Sequence, residues 1–148
     1  GKKSLDKLTA LELTHVCTLL GVREQANGIE KISRKLGTDW IWLPIEGGHP
    51  DTLKATDLPA HIKTLADAIA ATETPRVYLH CSAGIHRTGF FAYLILRIGG
   101  RSEEEALATL AELRDVTAAD VGEHRLELAE TLLAGDQMTA LMPNQASS

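Results

Sequence analysis

Short β-rich segments alternate with stretches of helical periodicity through the first half of the chain, and this order restricts the fold more than any other feature. The predicted strands are residues 14–20, 39–45 and 77–80. Between them, apolar residues recur on one helical face, as Ile29, Ile32 and Leu36 do. Because strands that alternate with helices pair in a parallel sheet, we predict an α/β fold with a short, largely parallel central sheet flanked by helices.

Capping signals predict where the helices of the first half begin and end. Asp57 is expected to cap a helix that carries Leu58 and Ile69 on its apolar face. Gly37 is expected to end the preceding helix in the left-handed conformation. Residues 46–51 contain too much Gly and Pro for a regular element and are predicted to form a loop.

The second half of the chain is predicted to be helical. Residues 90–98 are apolar nearly all round, which indicates a buried central helix. Two pairs have the spacing of a capping box and predict the starts of two further helices: Ser102 with Glu105, and Thr117 with Asp120.

The length of 148 residues is that of one domain with its own core. We predict a single domain over residues 1–135 and a polar C-terminal tail over residues 136–148. Two cysteines cannot form a disulfide framework, so a reducing cytoplasm is the expected location. Cys17 lies in an apolar strand and is predicted to be a small core residue.

The charge balance restricts the partners. A net charge of −5 argues against nucleic acid and anionic membranes as binding partners. No apolar run approaches the roughly 20 residues that a membrane-spanning helix requires. An anion site in so acidic a chain must depend on local donors.

Cys81 follows the third predicted strand and precedes the buried helix. The backbone N–H groups at a helix N-terminus carry about half a positive charge, and they stabilise a thiolate there. The sequence therefore predicts that Cys81 is a nucleophile.

The residues after Cys81 are suited to binding a phosphate dianion. Successive backbone N–H groups can surround its oxygens, and Gly84 permits the tight curl. The guanidinium of Arg87 can hold two of those oxygens at once. The predicted phosphate ligands are Ser82, Ala83, Gly84, Ile85, His86 and Arg87.

Two neighbours of this loop have predicted supporting roles. Thr88 places a hydroxyl near the Cys81 sulfur, where it can ease the departure of the thiolate from a phosphocysteine. His80 is expected to support the loop backbone through hydrogen bonds. One thiol with His80 and His86 gives no four-ligand set, so no metal is predicted.

The order of His80 and Cys81, five residues, Arg87 and Thr88 resembles the signature of the cysteine-dependent protein tyrosine phosphatase superfamily. The resemblance spans residues 8–133 and implies the fold of that superfamily.

Further segments resemble one part of the superfamily. The compact length and the Ala83-Gly84 pair resemble its dual-specificity branch, and residues 43–51 resemble the kinase-associated phosphatase type. This resemblance implies a protein phosphatase that hydrolyses phosphotyrosine, phosphoserine or phosphothreonine through a phosphocysteine intermediate. Its partners would be phosphorylated proteins or peptides, and no cofactor would be needed.

Two departures concern proton transfer. Where such phosphatases carry an aspartate as general acid, this chain has Glu46, with Asp51 shortly after, and both stay candidates. Residues 120–124 contain no counterpart of the glutamine that often positions water.

Other functions stay open at this point. One alternative is an inactive domain that only recognises phosphate. Another is a phosphatase for a non-protein phosphate, such as a phosphoinositide or an RNA 5′ end. Phosphoinositide phosphatases of this superfamily tend to have lysines inside the loop, where this chain has Ile85 and His86.

Overall fold

Three parallel strands form the central sheet. In the computed structural model, which describes residues 2–82, 86–114 and 121–135, these are β1 (His15–Thr18), β2 (Asp39–Trp42) and β3 (Val77–His80). Their order is β2-β1-β3. Thr18 at the end of β1 lies opposite both Trp42 and His80, so the three carboxyl ends are level. The predicted α/β fold with a parallel sheet is confirmed.

Helices lie before, between and after the strands. They are α1 (Lys2–Ala10), α2 (Asn27–Leu36), α3 (Pro50–Ala55), α4 (Leu58–Ala70), α5 (His86–Ile98), α6 (Glu103–Arg114) and α7 (Glu123–Leu133). Among the described residues, no helix combines the length and the apolar character that a membrane span requires.

Most predicted helix ends are confirmed. Gly37 ends α2 with a φ of 70°, a left-handed value that glycine adopts without strain. Asp57 Oδ1 accepts from the Ala60 N–H at 3.4 Å and caps α4. Ser102 and Glu105 form the reciprocal bonds of a capping box at α6. The second predicted box, formed by residues 117 and 120, and the predicted tail over 136–148 lie outside the described residues.

Two local predictions were wrong. The predicted loop over residues 46–51 ends early, because α3 begins at Pro50. The fixed φ of proline suits a first helical position, and His49 caps the helix by accepting from the Asp51 N–H at 3.2 Å. In α2, Ile32 is exposed, whereas Ser33 faces inward and bonds with Thr38.

The core centres on α5 and covers the face of the sheet that carries Cys17, Ile41 and Leu79. As predicted from its apolar sequence, this helix is buried, with Phe90, Phe91 and Leu94 fully covered. Cys17 is 0% exposed in β1, which confirms its place in the core. Burial raises the pKa of its thiol to about 12, so it stays protonated near neutral pH.

An ion-paired network joins α5 to α7. The Glu130 carboxylate accepts from Arg97 Nε and Nη2, both at 2.9 Å, and from the Tyr93 hydroxyl. Arg97 lowers the pKa of Glu130, while burial and the Glu130 bond raise the pKa of Tyr93. This network fixes α7 against the central helix.

Candidate active site

The carboxyl ends of the three strands position the site. Ligand sites of parallel sheets lie at this edge, and Cys81 directly follows β3 here. The loop to α5 is short, so Arg87 and Thr88 lie in the first turn of that helix. Ser82 and His86 are exposed at the two ends of the loop.

Thr88 and Cys81 are brought together as predicted. The Thr88 hydroxyl donates to the Cys81 sulfur at 3.0 Å, and both residues are buried. A donor at this distance favours the thiolate over the thiol, because it stabilises the negative charge. Residues 83–85 lie outside the described residues, so the backbone cradle predicted for them stays a prediction.

Arg87 is buried and anchored by one end of its guanidinium. Nη1 donates to the carbonyl oxygens of Leu19 at 3.1 Å and Ile45 at 2.8 Å, and to Glu24 Oε1 at 3.0 Å. Nε and Nη2 make no hydrogen bond with the described residues. The guanidinium therefore keeps two donors in one plane for an oxyanion.

A hydrogen-bonded chain supports His80. Its Nε2 lies 2.8 Å from the Thr18 hydroxyl, which also accepts from Trp40 Nε1 at 2.8 Å. An indole nitrogen only donates, so one lone pair of the Thr18 hydroxyl is always occupied. The orientation of the imidazole next to Cys81 is thus fixed from β1 and β2.

Glu46 lies close in the chain to a residue that contacts Arg87. It directly follows Ile45, whose carbonyl accepts from Arg87. The Glu46 carboxylate is exposed and accepts from the Val22 N–H at 3.2 Å.

Gly48 packs this segment against the start of α5. A Cβ at this position would lie 2.6 Å from His86 Cβ and 3.4 Å from the Arg87 nitrogen. The Gly48 carbonyl also accepts from Arg125 Nε on α7, and Arg125 bonds the Val121 carbonyl at 2.9 Å. Gly48 is therefore held between α5 and α7.

Asp51 lies further along, in the first turn of α3, with its side chain 84% exposed. It lines a cleft of about 650 Å³ between α3 and α7. The charged and titratable residues of this cleft are His49, Asp51, Lys54, Glu123, His124, Arg125 and Glu127. The structure thus separates the two predicted acid candidates, with Glu46 beside Arg87 and Asp51 in the cleft.

Comparison with known families agrees with this geometry. The family model described as "Tyrosine phosphatase family" matches residues 2–114. The chain belongs to the tyrosine phosphatase family. The resemblance predicted from the Cys81 loop is confirmed, and with it a phosphatase of this family. No curated protein matches the sequence.

Solved structures of several phosphatases are similar in fold. Kinase associated phosphatase, with its catalytic cysteine substituted by serine, has a TM-score of 0.64 at 16% identity, covering 90% of this chain and 78% of that one. P. aeruginosa TpbA, a cysteine-to-serine variant in complex with phosphotyrosine, has a TM-score of 0.57 at 20% identity, covering 99% and 81%. The core catalytic domain of the PP-IP phosphatase SIW14 from S. cerevisiae, in complex with citrate, has a TM-score of 0.55 at 14% identity, covering 91% and 85%.

Several residues of the site of this tyrosine phosphatase family member were not predicted. They are Thr18, Gly21, Glu24, Trp40 and Arg125. A polar Thr inside an otherwise apolar strand was a signal for Thr18, because a buried hydroxyl needs a partner. Glu24 carried no signal, since an acidic residue in a loop is ordinary.

Proposed function

We propose that the chain hydrolyses phosphomonoesters of proteins or peptides through a phosphocysteine formed on Cys81. The observation that carries the proposal is the arrangement around the sulfur. Cys81 accepts a hydrogen bond from Thr88, and the adjacent Arg87 is anchored at Nη1 so that its other edge is available. A thiolate nucleophile beside a planar two-point donor is suited to in-line phosphoryl transfer.

The first step forms the covalent intermediate. The Cys81 thiolate attacks phosphorus while Nε and Nη2 of Arg87 bind two equatorial oxygens. The bond from phosphorus to the leaving oxygen breaks, and a carboxylic acid donates its proton to that oxygen. The products of this step are a free alcohol or phenol and a phosphocysteine.

The second step hydrolyses the phosphocysteine. Water attacks phosphorus, and the carboxylate formed in the first step takes the proton of the water. The phosphorus–sulfur bond breaks, inorganic phosphate leaves, and the Thr88 hydroxyl stabilises the departing thiolate. Atoms and charges balance without a cofactor or a metal.

Glu46 is the proposed general acid. Its position next to Ile45, whose carbonyl binds Arg87, and the packing of Gly48 on α5 support this choice. The exposed position of Asp51 in the cleft supports a contact with substrate rather than proton transfer.

Leaving-group dependence tests the assignment. A general acid matters most for a basic leaving group, so Glu46→Gln should slow phenyl phosphate far more than an activated nitrophenyl ester. Asp51→Asn is the matched control and should slow both little and equally. If the two variants exchange these behaviours, Asp51 is the acid.

A protein or peptide is the proposed substrate class. The cleft between α3 and α7 contains both signs of charge, since Lys54 and Arg125 line it together with Asp51, Glu123 and Glu127. Mixed charges suit the varied side chains that flank a phosphorylated residue, whereas a polyanion would be repelled by the carboxylates. The TpbA structure contains phosphotyrosine, which is consistent with this class.

Phosphate release from a panel of substrates tests the proposal. The panel contains phosphotyrosine, phosphoserine and phosphothreonine peptides, an inositol pyrophosphate, a phosphoinositide and a 5′-triphosphorylated RNA. We expect release from peptides by the wild type and none by Cys81→Ser. Faster release from a non-protein substrate would refute the substrate class, and binding without any release would indicate a domain that only recognises phosphate.

A further inference from the structure

We infer that the loop joining β1 to α2, residues 19–25, is a shared positioning element for the phosphate-binding arginine and the general acid. The inference rests on the proposed function, in which Arg87 binds the phosphoryl group and Glu46 transfers the proton. Two different parts of the loop act in this way. Glu24 positions the arginine, and Gly21 and Val22 position the acid.

Glu24 fixes the orientation of Arg87. Its Oε1 accepts from Nη1 at 3.0 Å, and the carbonyl of Leu19, at the start of the same loop, accepts from that nitrogen at 3.1 Å. Together with Ile45 these contacts occupy Nη1 fully, because this nitrogen has two hydrogens and three acceptors. Rotation of the guanidinium would break all of them, so the Nε–Nη2 edge is held in place.

The second oxygen of Glu24 indicates that the pair does more than stabilise the fold. Oε2 is buried and has no hydrogen-bond partner among the described residues. A buried carboxylate oxygen without a partner costs free energy. The Glu24 side chain is otherwise 31% exposed, so solvent screens its ion pair with Arg87 and limits what the pair adds to stability. The pair is therefore expected to matter more for the orientation of Arg87 than for the stability of the fold.

The same carboxylate has an opposing electrostatic effect. Its negative charge lies near the place where a phosphate dianion would bind, and it reduces the attraction of the site for anions. Removing Glu24 would therefore tighten oxyanion binding if charge were dominant, and weaken it if orientation were dominant. The three-point anchoring of Nη1 leads us to expect weakening.

Gly21 and Val22 hold the Glu46 carboxylate in place. The Val22 N–H donates to Glu46 Oε1 at 3.2 Å. A Cβ on Gly21 would lie 2.3 Å from Oε2 and 3.1 Å from the Glu46 Cα, so only glycine lets the carboxylate approach this closely. Any larger residue must displace the acid.

The loop is itself fixed to the sheet. Trp42 Nε1 at the end of β2 donates to the Leu20 carbonyl at 2.7 Å, and Ala26 is buried where the loop joins α2. A loop tied at both ends can hold the two groups in a constant relation, which catalysis requires because misplacing a group by about 1 Å costs on the order of 10²-fold.

Tungstate binding tests the Glu24 half without requiring turnover. Calorimetric titration of Glu24→Ala should show affinity weakened about ten- to a hundredfold, the scale of losing one hydrogen bond between charged groups. Glu30→Gln is the matched control, since it breaks an exposed Glu–Arg pair with Arg34 on α2 and should leave affinity unchanged. Unchanged or tighter binding by a folded Glu24→Ala would overturn the inference.

A double variant separates positioning from general destabilisation. In an Arg87→Met background, Glu24→Ala should cause no further loss of tungstate affinity or of kcat/KM, because the group it positions is absent. Independent losses that multiply would show that Glu24 acts through overall stability.

Gly21→Ala tests the other half. It should keep tungstate affinity near that of the wild type, yet slow phenyl phosphate far more than an activated ester. A crystal structure of this variant should show the Glu46 carboxylate displaced from the Val22 N–H. A carboxylate still bonded to that N–H would refute the role inferred for Gly21. If the wild type releases no phosphate at all, the proposed function fails, while tungstate binding and this structure still decide the inference.

Discussion

Replacing Thr88 by valine removes one hydrogen bond at the Cys81 sulfur while keeping the shape of the side chain. The hydroxyl donates to Sγ at 3.0 Å. Thr88 is 4% exposed, so bulk water has little access to replace the lost donor. The substitution therefore isolates the contribution of a single contact to the thiolate.

The expected magnitude follows from the strength of such a bond. A hydrogen bond to a charged group contributes about 1.5–3 kcal/mol, and about 1.4 kcal/mol corresponds to one pH unit in an ionisation. Because the lost bond favours the thiolate, ionisation of Cys81 in Thr88→Val should require a pH about one to two units higher. Departure of the thiolate from the phosphocysteine should slow by about ten- to a hundredfold for the same reason.

Two assays measure these effects. The rate of Cys81 alkylation by iodoacetamide against pH gives the ionisation midpoint, and Cys17 is an internal control because burial raises the pKa of its thiol to about 12. Rapid mixing with p-nitrophenyl phosphate should show a burst of nitrophenol followed by slow turnover, since hydrolysis of the intermediate becomes limiting.

Thr88→Ser keeps the hydroxyl and should behave like the wild type in both assays. An unchanged alkylation midpoint and the absence of a burst in Thr88→Val would refute the argument. The 3.0 Å contact would then have no influence on the charge of the sulfur.

Further expectations concern Arg87, Cys17, metals and pH. Arg87→Lys should lose most of the activity on an aryl phosphate despite keeping its charge, because lysine is a point donor; activity within a few-fold of wild type would contradict the bidentate role. Cys17→Ser should retain activity, and a chelator should not inhibit the wild type, whereas vanadate should. Glu130→Gln should lower the free energy of unfolding at pH 7 by about 1–3 kcal/mol. Because Arg97 lowers the pKa of Glu130, the stabilisation is present above the pKa of an unfolded glutamate, about 4.3, and is lost as pH falls through the lower folded pKa. Denaturant titrations from pH 7 to pH 3 should therefore show a smaller decline for Glu130→Gln than for the wild type.

The fold could be predicted because its signals are local. β-rich segments identified the strands, and a run that is apolar nearly all round identified the buried helix α5. Gly37, Asp57 and Ser102 marked helix ends through contacts within a few residues. The contact of Thr88 with Cys81 was predicted for the same reason, since a short loop joins them.

The helix α3 could not be predicted from such signals. It has six residues, and a helix of this length is marginal on its own. Burial of Leu53 and the cap from His49 stabilise it, and burial depends on the rest of the fold. The Gly and Pro content that indicated a loop was therefore overridden by tertiary packing.

The anchoring of Arg87 could not be predicted for a different reason. Its acceptors are 42, 63 and 68 residues away in sequence, and two of them are the backbone carbonyls of Ile45 and Leu19. A backbone carbonyl is present whatever the side chain, so these contacts leave no trace in residue identity. Only Glu24 contributes a side chain, and its role became visible when the fold brought the β1–α2 loop beside α5. Conservative apolar substitutions of Leu19 and Ile45 can therefore keep the hydrogen bonds that anchor Arg87, whereas at position 24 the acceptor itself depends on the residue type.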